Sequence, residues 1–303
     1  MFYILTNGIL PIFGIAAIGY FLGKYKIFDV SAAGTINKLV FLVAIPTLCF
    51  KLIFNAPFDN FDWLLLIGFF ISEIVVYALS FLAARLFLSC TVRESVLLGL
   101  AASFGNHLLF VLPIAINLYG DEVAATIAAI VALDSVFIFG STILIMEILS
   151  SDKLSYRTFL KNIFTNPPLL SLLMGISAVV LSIEIPLGLN LFLDFVSGLA
   201  APGALFSLGV ILSQTKLFDR IASSLSISAF KLLLHPAIAW LFLCSIFGIT
   251  FEDARISILV AAAPSGTMAL VIASNYNVRT DAIAPTMFFT TLGSLISLTL
   301  VAS

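Results

Sequence analysis

The sequence predicts an all-α membrane protein: ten transmembrane helices arranged as two inverted five-helix repeats, with the fourth and ninth helices broken. Three observations predict it. Of the 303 residues, 61% are hydrophobic and 10% charged, and mean hydropathy is +1.20; a soluble domain carries about 25% charged residues. Apolar stretches near the ~20 residues that a spanning helix needs recur along the whole chain. Prolines and glycines able to bend such helices recur in the two halves at nearly one spacing.

Taken in order, the apolar stretches are 3–23, 33–54, 63–86, 96–118, 122–149, 168–184, 191–213, 223–247, 255–275 and 282–302. Short polar breaks such as NAPFDNFD, SCTVRES and YGDE separate them. The longest break, 150–167, divides a first repeat at 1–149 from a second at 168–303. Lys and Arg crowd onto one set of alternate loops, at Lys24, Lys26, Arg85, Arg93, Lys153, Arg157, Lys161, Lys216, Arg220 and Arg279, against Arg255 alone on the other. Cytoplasmic loops carry such an excess, so the 150–167 linker is expected in the cytoplasm and both termini outside, in a multi-pass protein of the cell membrane. An odd number of helices per half sets the halves in opposite orientations. Pro11 and Pro168 lie 157 positions apart, Pro46 and Pro202 156, and Gly105 and Pro264 159. Internal repetition in opposite orientation is a plan of secondary transporters.

The fourth stretch is the most informative. AASFGNHLLFVLPIAIN, at 101–117, sets Gly105, Asn106, His107 and Pro113 inside an apolar run. Pro removes a helix hydrogen bond, and Asn and His are costly to desolvate. In a bilayer such a break is tolerated where it is buried in protein or lines a cavity. A second break, at 263–277 with Pro264 and Ser265, is expected to face it. Half-helices starting at such points direct unpaired N–H groups and a positive dipole end at an anion. Asn106 supplies both a donor and an acceptor, for an anion or for capping the broken helix. His107 either relays protons or bonds a freed backbone group.

Ionisable residues inside spans mark pathways or buried pairs. Glu73, Asp134, Lys231 and His235 are of this kind. Glu73 and Lys231 lie at the repeat spacing, and each has a polar ring one helical turn later, Tyr77 and His235. They are candidates for proton or ion coupling; the alternative is a buried lock of ion pairs and hydrogen bonds. Asp134 is a cation ligand or a partner for a neighbouring hydroxyl. The three cysteines show no CxxC and read as small apolar residues. No signal-peptide pattern precedes the first span, which is expected to remain in place. No HExxH, P-loop, nucleophile elbow or metal-binding Cys/His cluster appears, so no enzyme, cofactor or metal is expected beyond a coupling H⁺ or Na⁺. Nucleic acid is not an expected partner; membrane lipid is.

Seven segments together resemble the auxin efflux carrier family. They are GILPIFGIAAIGYFLGKYKIFD, NKLVFLVAIPTLCFKLI, FGNHLLFVLPIAI, NPPLLSLLMGI, AAPGALFSLGVIL, KLLLHPAIAW and AAAPSGTMALVIASNYNV, in order and almost end to end. The resemblance implies a fold related in outline to bile acid sodium symporters, with helices 4 and 9 unwound and crossing near mid-membrane. It implies a scaffold of helices 1, 2, 6 and 7 through which a homodimer forms. Helices 3–5 and 8–10 would form an elevator-like transport domain. Asn106 matches the family's substrate-contacting Asn, Pro264 its crossover proline, and Thr47 and Phe206–Gly209 segments facing substrate. Gly105 replaces the Pro that plant members place before that Asn, and their long hydrophilic central loop is missing. Both departures point to a small bacterial-type carrier of organic acids. The expected function is therefore an efflux carrier for a small organic anion. The alternatives are a sodium- or proton-coupled organic acid symporter, a ligand-sensing membrane protein without transport, and a channel.

Overall fold

Segments that cannot leave backbone groups unpaired in lipid have one local solution, the helix. The computed structural model, which describes residues 2, 4–55, 62–150, 167–214 and 220–303, is helical nearly throughout. Its helices are α1 (Leu10–Lys24), α2 (Val30–Phe54), α3 (Trp63–Phe87), α4 (Val92–Ser103), α5 (His107–Tyr119), α6 (Val123–Ser150) and α7 (Pro167–Val180), followed by α8 (Leu187–Ser213), α9 (Ile221–Ile246), α10 (Phe251–Ala261), α11 (Met268–Asn275) and α12 (Ile283–Ala302). Side-chain caps start several of them. Asp29 accepts from Ala32 N–H, Asp62 from Leu64 and Leu65, and Thr91 and Glu94 form a reciprocal capping box.

The prolines shape the helices from within. A proline cannot donate and its ring crowds the carbonyl one turn back. Accordingly a widened π-turn precedes Pro11, Pro46, Pro113 and Pro236, at Ile4–Ile9, Val40–Ala44, His107–Val111 and Phe230–Leu234. Two more lie at Asp134–Phe139 and Leu241–Ile246, without a proline.

The expected count of ten spanning helices is corrected. Among the described residues, six helices are long and apolar enough to cross a membrane: α2, α3, α6, α8, α9 and α12. The stretches 96–118 and 255–275 each resolve into two shorter helices, while 3–23 and 168–184 contribute the 15-residue α1 and the 14-residue α7. The architecture is thus an all-α bundle of six long apolar helices and shorter ones, not ten spans in two inverted five-helix repeats with helices 4 and 9 crossing. The reason is local. An apolar stretch has the length of a span whether or not a Gly, Asn or Pro interrupts it, and hydropathy alone does not register the interruption. Nearly all of the 150–167 linker lies outside the described residues.

Two packed groups stand out in the bundle, and a large core with residues of α1, α3, α5, α6, α8, α10 and α12 joins them. Helices α1, α2, α7 and α8 pack on one another. Helix α1 meets α8 at van der Waals distance because Gly19 and Gly209 face the other helix's backbone, where an added Cβ would overlap Phe206 O or Ala16 O. A second core joins α3, α4, α6, α9, α11 and α12 through residues such as Val76, Leu97, Met146, Ile227, Ile272 and Ile283. Large apolar side chains remain on the outside of both groups, among them Phe21, Phe87, Phe195, Trp240 and Ile296. In a multi-pass membrane protein they form the lipid-facing surface. At one pole Arg220 contacts Glu94 and the Leu88 carbonyl, Arg279 approaches Glu94, and Arg93 reaches the Leu149 carbonyl. At another, Asn117 bonds the Asn7 carbonyl and Tyr119 the Ala302 carbonyl.

Candidate functional site

Helices α4 and α10 end at Ser103 and Ala261, and each chain then crosses a short non-helical break before α5 or α11. The two breaks meet. Gly105 and Ser265 form an isolated antiparallel β-bridge, with Asn106 N–H donating to Pro264 O at 2.8 Å and Gly266 N–H to Phe104 O at 2.9 Å. Every buried backbone group needs a partner, and neighbouring side chains supply the rest. Ser265 N–H donates to Thr290 Oγ1 (3.2 Å), and the Ser265 hydroxyl donates to Ala101 O (2.6 Å). The Ser297 hydroxyl donates to Ala262 O (2.8 Å). Lys231 Nζ donates to both terminal carbonyls, Ser103 O at 2.9 Å and Ala261 O at 3.2 Å. Gly105 N–H donates to His107 Nε2 at 3.0 Å.

That last bond explains Gly105. A proline there would have no N–H to give, and any Cβ would stand 2.5 Å from His107 Nε2 and 3.1 Å from Lys231 Nζ. It also sets the histidine tautomer: Nε2 accepts, so the ring proton sits on Nδ1, which lies 2.9 Å from Asp134 Oδ2. Phe104 stacks on the His107 ring at 5.8 Å. Lys231 carries donors only, so His235 Nδ1, at 3.0 Å, accepts from it. Phe69 lies against the His235 ring at 5.8 Å. Glu73 is wholly buried beside the Asp134 carboxyl and within electrostatic reach of His107 and Lys231, and no N–H or hydroxyl donates to either of its oxygens among the described residues. The structure therefore gathers Glu73, His107, Asp134, Lys231 and His235 into one buried cluster behind the bridged breaks.

In front of the breaks lies a cavity of about 410 Å³ between α2, α5, α6, α8 and the start of α11. Gly105 and Asn106 line it, with Gly266 and Thr267 from the second break. Asn106 stands at the N-terminus of α5, yet its side chain makes no capping hydrogen bond. The remaining candidates take other positions. Pro264 and Ser265 hold the bridge rather than line the cavity. The Thr47 hydroxyl donates to Val43 O of its own helix and is not among the lining residues. Lys38, Asn37 and Ser135, none of them expected at the site, line the cavity from α2 and α6. The signal for Lys38 was present as a basic residue inside an apolar span.

The residues of this site belong to a chain with clear relatives. The family described as "Membrane transport protein" matches residues 4–302. A Rhizobium meliloti protein named "Putative malonate transporter" is 29% identical over 306 residues, covering 97% of this chain and 94% of that one. A Methanothermobacter thermautotrophicus protein, named as an uncharacterized transporter, is 26% identical over 97% of this chain and 96% of its own length. A Methanocaldococcus jannaschii protein named likewise is 24% identical over 93% of each chain. The family is one of transporters rather than of catalysts, and it bears out the resemblance read from the sequence. This chain belongs to the membrane transport protein family.

Proposed function

We propose that the protein is a secondary carrier of a small organic anion, bound in the cavity in front of the bridged breaks. The observation that carries the reading is Asn106. It lines the cavity and its side chain is not spent on capping α5, so its amide is available to a carboxylate. Gly266 and Thr267 lead into α11, whose N-terminal N–H groups add a positive dipole end beside it. The cavity volume, about 410 Å³, lies in the ~300–1,000 Å³ range of small-molecule sites and exceeds the needs of a dicarboxylate the size of malonate, the solute in the name of the Rhizobium meliloti relative. Lys38 supplies a charge for a second carboxylate.

Alternating access follows from the two packed groups. The group holding α3–α6 and α9–α12 carries both breaks and slides, elevator-like, against α1, α2, α7 and α8. Movement of an anion out of a negative interior is favoured by about 2.3 kcal/mol per charge per 100 mV. The test is counterflow of labelled malonate and related mono- and dicarboxylates in proteoliposomes. Asn106→Ala is expected to reduce flux while the protein stays folded; wild-type flux in that variant sinks the assignment. A second reading, coupling to protons, is favoured by one observation, the buried Glu73 carboxyl beside that of Asp134, with no N–H or hydroxyl donating to it among the described residues. Glu73→Gln then changes the pH profile of flux, and an unchanged profile leaves Glu73 a structural residue.

A further inference from the structure

Three lysines lie inside the apolar stretches, and two of them are spoken for. Lys51 pairs with Asp194, and Lys231 donates to Ser103 O and Ala261 O beside His235. Lys38 has no ion pair and no hydrogen bond from its ammonium among the described residues. It also stands where a charge is conspicuous. No Asp or Glu is among the described residues that line the cavity, and Lys38 is the one Lys or Arg among them. The other titratable group in the wall, His107, has one ring nitrogen accepting from Gly105 N–H and the other against Asp134.

The helix aims Lys38 inward. Gly34, Asn37, Lys38, Phe41 and Ile45 all line the cavity, and steps of three or four residues place them on one face of α2. Further along, Val40 and Ile45 share a buried cluster with Leu109, three residues after Asn106, so the α2 wall is packed against the helix that follows the first break. Much of the remaining wall is apolar, as at Leu108, Val131 and Leu208. The cavity thus offers an amide at Asn106, a positive charge at Lys38 and an apolar lining.

We propose that Lys38 is the specificity residue of the cavity, selecting short dicarboxylates over monocarboxylates by taking the second carboxylate while Asn106 takes the first. The inference rests on the proposed carrier function. A monocarboxylate engages one of the two groups, whereas a dicarboxylate engages both and neutralises a charge that no residue of the wall balances. An ammonium is a compact charge with rotatable donors on a flexible stem, so it follows second carboxylates set at slightly different distances. Discrimination comes from the group that the wrong ligand leaves without a partner.

Malonate and its monomethyl ester have nearly the same shape and differ by one charge at mildly alkaline pH, which makes them the probe pair. In proteoliposomes each competes with labelled malonate in counterflow, and in detergent each is titrated against the thermal unfolding of the protein. Wild-type protein is expected to bind malonate about ten-fold more tightly than the ester, the size of one hydrogen bond between charged groups. Lys38→Gln is expected to bring malonate level with the ester, and Lys38→Arg to keep the preference. A lysine of merely structural use would weaken both ligands alike in Lys38→Gln, and that result overturns the proposal. So does a preference retained in Lys38→Gln, or a wild-type protein that binds the two ligands equally, which decides the matter if the variants do not fold. Counterflow and binding that are intact but indifferent to Lys38 leave the carrier reading standing. If no carboxylate is bound or carried, the carrier reading and the role of Lys38 fail together.

Discussion

At the scale of the residue, the site turns on one backbone N–H. Gly105 donates it to His107 Nε2, which turns the other ring nitrogen toward Asp134. Gly105 and the neighbouring histidine are thus one feature, not two. Gly105→Ala is expected to destabilise the protein by about 1–3 kcal/mol, the range for overpacking a filled interior, and to depress flux, because the displaced neighbours are His107 and Lys231. Thermal unfolding in detergent alongside counterflow checks both; an alanine variant unchanged in each contradicts the packing argument. The polar residues in this stretch were legible in the sequence because they are conspicuous in an apolar run. Their partners were not. Nothing in the order of residues says that His107 bonds backward to Gly105, or that Thr47 spends its hydroxyl on its own helix.

The element that organises the site is a helix that stops. Three of the clustered ionisable residues, His107, Asp134 and Lys231, lie in π-turns, two of them ahead of Pro113 and Pro236. The widened turn shifts the side chains that follow relative to a regular helix, and such turns gather at functional sites. Helix α12 acts as the splint for the second break, accepting from Ser265 N–H at Thr290 and donating from Ser297 to Ala262 O. This predicts paired effects. Thr290→Val leaves the Ser265 N–H without its acceptor, and Ser265→Ala leaves the Ala101 carbonyl without the hydroxyl that donates to it, so each is expected to cost about 1–3 kcal/mol. Unfolding midpoints unchanged in both variants would contradict that backbone accounting. The proline positions were visible in the sequence; which break α12 serves was not, since hydroxyls spaced along α12 also satisfy themselves on their own helix, as Thr286, Thr291 and Ser294 do.

For the whole molecule, close helix contacts divide the bundle into two packed groups. Helices α1 and α8 approach through Gly19 and Gly209, so their joint surface is tight. Gly209→Val is expected to separate that pair and yield a protein that aggregates on extraction from the membrane. A monodisperse valine variant of normal stability would show that the close approach is dispensable. The polar pole where Arg93, Arg220 and Arg279 gather near Glu94 and Leu149 brings together residues that the loop pattern assigned to one side.

Taken alone, the sequence determined that the chain is a helical, multi-pass membrane protein with no visible seat for catalysis, and it located both interruptions. Composition and the length of apolar runs are local properties, and the bilayer reads them directly. It overstated the number of spanning helices, because hydropathy sums over a break as readily as over a helix. Tertiary structure alone decided that the two breaks pair as an antiparallel bridge and that one lysine joins their helix ends. Contacts between residues far apart in the chain leave no periodicity to read. At Asn106 the sequence supplied the residue, and the fold set it in the cavity wall with no capping bond from its side chain.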